Sequence, residues 1–137
     1  MTGMTSRRLA AALLACASGI RHLEAGTSLL TSGGTWLRRA DFTSRFITTG
    51  TSDGIMLAAT DWEAAITALH AGELPASSGE RRMLLLAASI AGGVPVSLSD
   101  TLIGIDHRNA SLVVSAVAHA TGLPDPTEKT DKQNENG

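Results

Sequence analysis

The side chains that could do chemistry in this chain are few: four histidines, one cysteine and scattered carboxylates. A metal site needs its donors within about 2.0–2.3 Å of one point, which two imidazoles four residues apart on a helix, or a Cys-x-x-Cys, can supply. His22, His70, His107 and His119 are never at that spacing, and Cys16 has no second cysteine to work with. His107 and His119 fall in one helical stretch, but about 120° apart around it. Each histidine therefore reads as a solvated or core-edge side chain, not as a ligand or general base. Cys16 lies on an apolar stripe, where a free thiol behaves as a small buried hydrophobe. Asp61, Asp100 and Asp106 sit where helices begin and read as caps. The pairs Gly33-Gly34 and Gly92-Gly93 lack the spacing of a phosphate-binding loop. No catalytic, metal-binding or cofactor-binding set emerges, and the expectation is a protein that works without a cofactor.

One arrangement has more shape. The stretch Ser97 to Ile105, a glycine-containing turn and the longer stretch to Thr121 have roughly helix-turn-helix proportions. The second helix would line up Arg108, Ser111, Ser115 and His119, residue types able to contact bases and phosphates. Arg81, Arg82 and the Arg38/Arg39 pair would be the phosphate contacts. Against this stand a single Arg on that helix and a net charge of −2, from 11 basic and 13 acidic residues. Non-specific nucleic-acid binding draws on a broad basic field, which this chain lacks. A solvated polar seam on a packed helix accounts for the same row.

The elements that must position these residues are helical by composition and by punctuation. Aromatics are scarce, with two Trp, two Phe and no Tyr, while 43% of the 137 residues are hydrophobic. Such a core is built from Ala, Leu and Ile, which favour helices over a sandwich or barrel. In the second half, hydroxyl residues stand three positions before acids: Thr60/Glu63, Ser77/Glu80 and Ser97/Asp100. The first two match the capping box. Gly72, Gly92-Gly93, Gly104 and Gly122 supply the matching stops. These signals predict helices over 61–71, 78–91 and 107–121 and a short one near 97–103. The 78–91 helix is apolar nearly all round and belongs in the middle of the domain.

The first half is less punctuated. Leu9, Leu13, Cys16, Ile20 and Leu23 recur at helical spacing, predicting one helix from about Ser6 to Glu24 that ends at Gly26. Thr27 to Gly34 reads as a loop, and Thr35 as the cap of a helix reaching about Thr48. Ile55 to Ala59 reads as extended or helical. Arg7-Arg8 before a short apolar run and Cys16 loosely resemble an export or lipoprotein signal. The helical stripe is the simpler account, so the expected location is cytoplasmic, with export or lipid anchoring through Cys16 as the alternative. No apolar run approaches the roughly 20 residues that span a bilayer.

Several short motifs carry a resemblance: Asp61-Trp62, Leu74-Pro75, Gly79-Glu80-Arg81, Ala87-Ala88-Ser89, Pro95-Val96, and Asp106 with Asn109. Residues 35–122 resemble a family of short uncharacterised proteins common in actinobacteria. The resemblance implies a cytosolic protein without cofactors and attaches no activity to any residue. The reading is then an all-α bundle of five or six helices. Residues 1–34 form a variable extension, 35–124 the helical domain and 125–137 a disordered tail. Its function is expected to be protein interaction, through a partner or self-association, rather than catalysis. The alternatives are a DNA-binding regulator using the 107–121 helix, and an enzyme with an unrecognised site.

Overall fold

The computed structural model describes residues 5–128. Helix α1, Ser6–Ala17, starts where the Thr5 hydroxyl accepts from the Arg8 N–H at 3.2 Å. It does not run on to Glu24. Gly19 takes a left-handed φ of +94°, the chain turns, and α2 occupies Arg21–Ser32. The Glu24 carboxylate braces this corner by accepting from the Gly19 N–H at 2.9 Å. The single stripe expected across 6–24 is therefore two stripes on two helices. Cys16, next to the corner, is exposed and not buried as expected.

Gly26 does not stop a helix either. It lies inside α2 at its crossing with α5 (Ser78–Gly92), where a Cβ would stand 2.7 Å from the Ala87 carbonyl oxygen. Glycine is there for close approach, not for a turn. Residues expected as a loop continue the helix and bury Thr27, Leu29 and Leu30.

After a 3-10 turn at Trp36–Arg38, helix α3 spans only Ala40–Phe46. The β-branched run Ile47-Thr48-Thr49 then leaves the helix, consistent with its strand preference. It forms β1, Ile47–Ser52, paired antiparallel with β2, Ile55–Thr60, from Ile47↔Thr60 to Ser52↔Ile55. The two-residue turn is Asp53-Gly54, both at positive φ, a pairing that suits the twist of a hairpin. The fold is mostly helical with a small two-stranded sheet, so all-α is corrected to that extent, and seven α-helices among the described residues replace the expected five or six. A lone hairpin is marginal in water. This one is held by α1, which packs on β2 and covers Ala58.

The second half follows its punctuation more closely. Asp61, not Thr60, caps α4 (Trp62–His70), its carboxylate accepting from the Ala64 N–H at 3.1 Å. Ser77 and Glu80 form the full capping box of α5, and Gly93 closes it at φ +70°. Ser97 caps the short α6, Leu98–Leu102. Asp106 caps α7, His107–Thr121, accepting from the Asn109 N–H at 2.7 Å, and Gly122 ends it at φ +82°.

Helix α5 is the central element, with Leu84, Ala87 and Ala88 fully buried. It packs against α2, α4, α6 and α7, and α2 also packs along α7. Trp36, Phe42 and Phe46 stack in sequence, with ring centroids 5.2 and 5.6 Å apart. The Trp36 indole N–H donates to the Glu80 carbonyl at 3.1 Å. Leu9, Leu13, Leu29 and Leu30 belong to the same core cluster as Leu84 and Phe42. Residues 6–32 are thus part of the core and not an appended extension. Of the expected tail, 129–137 lie outside the described residues. Residues 125–127 fold back on α7, where Asp125 accepts from the Ser115 hydroxyl at 3.1 Å.

Candidate functional site

Helix α7 carries every residue proposed for a site, and packing against α2 divides them. His119 Nε2 lies 2.7 Å from the Glu24 carboxylate of α2. That contact, helped by the Gly19 N–H, holds the Glu24 carboxyl below its ordinary range. Ser115 is bound to Asp125 and lies 2.9 Å from the Thr127 hydroxyl. The hydroxyl and backbone N–H of Thr127, and then Ser115, likewise lower the Asp125 carboxyl. Arg108 and Ser111 stay exposed, without such contacts. The expected polar row is therefore split: His119 serves the α2–α7 contact, Ser115 holds the returning C-terminal segment, and two members face outward.

The proposed phosphate contacts are not gathered either. Arg39 is bidentate to Asp41, at 2.6 and 3.0 Å, and donates to the Pro75 carbonyl. Arg82 reaches the Gly104 carbonyl at 3.4 Å, and Arg81 lies 3.3 Å from His70 Nδ1. The histidines remain apart: His22 faces the Ala91 carbonyl, and His107 is exposed. Among the described residues no three His, Cys, Asp or Glu side chains come together as a metal would require. A cleft of about 370 Å³ between α1, α2 and α7 holds Glu24, Ser115, His119 and Asp125, but each is committed within the protein.

The surface that sequence reasoning missed is apolar. A groove of about 650 Å³ runs along α7, floored by Ala110, Val114, Val117 and Thr121. Leu102 and Ile105 line it from the α6–α7 connection, and Leu123, Pro124 and Pro126 from the returning C-terminal segment. Val114 and Val117 are 45% and 48% exposed, and Leu123 is 66% exposed. No charged side chain lines this groove among the described residues. A helix with one buried face normally turns polar residues outward. On α7 the signal was present as more apolar positions than one buried face needs. No helix among the described residues is long and apolar enough to cross a membrane.

No family model, curated protein or solved structure matches this chain. The groove and the split polar row must therefore speak through their own chemistry.

Proposed function

We propose that this protein is an interaction module whose docking face is the α7 groove, and that its occupant is α7 of a second copy in antiparallel, two-fold pairing. The observation that carries this is an uncharged, half-exposed apolar stripe on a helix already anchored on its other side. Ala110, Val114, Val117 and Thr121 are spaced four, three and four apart, the spacing of a helix–helix seam. Their side chains are small, so two backbones can approach closely. The stripe is centred between Val114 and Val117 of α7. A two-fold axis there returns the stripe onto itself, with Ala110 opposite Thr121 and Val114 opposite Val117. In such an isologous contact a charge near the axis would meet its own copy, and this stripe carries none. Nucleic-acid binding by the same helix has less support, because Ser115 and His119 are engaged within the protein and only Arg108 and Ser111 of the row face outward uncommitted.

Sedimentation velocity over about 1–100 μM, a range that covers micromolar pairing, tests this. The wild-type protein should show a reversible dimer. Val114→Asp and Val117→Asp should each be monomeric with an almost unchanged melting temperature, since both positions are half-exposed. A wild-type monomer across the range, or a dimer that survives both substitutions, would overturn the pairing.

A further inference from the structure

Ser78, Arg81, Arg82 and Leu85 fall at i, i+3, i+4 and i+7 of α5, which puts them on one face of that helix. The face walls a cleft of about 390 Å³, shared with His70 at the end of α4 and with Pro95, Val96 and Ser97 ahead of α6. This cleft has no residue in common with the α7 groove. Arg81 and Arg82 are both half-buried, and neither lies within ion-pair distance of a carboxylate among the described residues. Their contacts are long and bring no negative charge: Arg81 with His70 Nδ1 at 3.3 Å, Arg82 with the Gly104 carbonyl at 3.4 Å. The neighbouring Glu80 carboxylate is taken up in the capping box, accepting from the Ser77 N–H at 2.9 Å. Of the lining residues only Asp100 is acidic. Two cations around one concavity against a single carboxylate leave a positive field inside it.

We infer that this cleft binds the phosphoryl group of a small phosphomonoester, with Arg81 and Arg82 on its oxygens and its organic body against Leu85, Pro95 and Val96. Guanidinium forks match phosphate oxygens two at a time, and a dianion answers two cations where a carboxylate would answer one. Ser78 stands in the first turn of α5, where the helix dipole adds to the attraction. The volume suits a small molecule, since such sites begin at about 300 Å³. His70 is a positioning residue that steers Arg81, and Asp100 opposes the ligand's charge.

Phenyl phosphate is the probe, at about pH 8, where its second proton (pKa about 6) is gone. Titrated into the ¹⁵N-labelled protein at low salt, it should move the Ser78, Arg81 and Arg82 amide signals saturably, with a Kd of about 1 mM or tighter. Inorganic phosphate should compete more weakly, for want of the apolar body, and benzoate should bind at least about tenfold more weakly. Arg81→Gln and Arg82→Gln should each weaken phenyl phosphate at least about tenfold, while Arg108→Gln, outside the cleft, should change nothing. Asp100→Asn should strengthen binding, and this variant and the wild-type titration remain decisive if a glutamine variant does not fold. No saturable shift at these amides up to about 10 mM would overturn the site. Benzoate binding as well as phenyl phosphate would overturn the phosphoryl assignment, and inorganic phosphate doing so would remove the organic body. An equal loss in Arg108→Gln would show diffuse surface charge instead of a site.

Discussion

Glu24 shows how one side chain can join three parts of a small fold. It sits in the first turn of α2, accepts from the Gly19 N–H at the corner, and meets His119 of α7. These hydrogen bonds favour the ionised form and lower its pKa from an ordinary 4.5. Asp41, paired with Arg39, and Asp125 are lowered as well. A carboxyl depressed in the folded state contributes stability above its unfolded pKa, and that stability disappears as pH falls through the folded value. Glu24→Gln should therefore melt below wild type near pH 6, with the gap narrowing as the pH falls below the unfolded value of about 4.3 and closing as the folded carboxylate takes up its proton. Melts followed by circular dichroism across that window check this. A gap that persists at the acid end would show that the residue acts by shape instead. Because Glu24 is solvated, the effect is expected to be small.

At the level of elements, the contact between α2 and α5 depends on what Gly26 lacks. A Cβ there would meet the Ala87 carbonyl oxygen and the Ala91 nitrogen, both at 2.7 Å. These are backbone atoms of α5, and they cannot swing aside. Alanine ordinarily favours a helix over glycine by about 1 kcal/mol. Overpacking costs about 1–3 kcal/mol, so Gly26→Ala should be destabilising despite its better propensity. Urea unfolding should show a lower midpoint with the slope preserved. An increase in stability would mean that α2 and α5 can separate without loss. Gly92 faces Trp62 in a similar way, with a Cβ only 2.9 Å from that residue's own Cβ.

For the whole molecule, the question is whether the first two helices can be spared. Leu9, Leu13, Leu29 and Leu30 are all buried in the common core. Burying one such side chain is worth about 1.5–3 kcal/mol. Four of them together are comparable with the full margin of about 5–15 kcal/mol that keeps a domain folded. Deleting residues 1–32 should leave a chain without a cooperative thermal transition, as scanning calorimetry would show. A deletion product that melts cooperatively would instead make residues 1–32 an accessory, and α5 with α7 a sufficient core.

Much of the second half was legible because its information is local. The Ser77/Glu80 box, the Asp106 cap, and the stops at Gly93 and Gly122 each act within a few residues, so spacing alone determined α5 and α7. The apolar circumference of α5 likewise announced a central helix. The first half turned on contacts that spacing cannot express. Gly19 and Gly26 are the same residue type, yet one turns the chain and the other admits a neighbouring helix. Only the position of α5 distinguishes them. Ile47-Thr48-Thr49 stayed ambiguous until β2 supplied a partner, and Asp53-Gly54 until two strands flanked it. The same holds for the site. The sequence placed Arg108, Ser111, Ser115 and His119 on one side of a helix, since helical geometry depends only on residue number. Which of those faces meets α2, and which apolar residues are left without cover, depends on elements far away along the chain. Burial is a property of the packed whole, so tertiary structure alone engaged Ser115 with Asp125 and His119 with Glu24 and left Val114 and Val117 half-exposed.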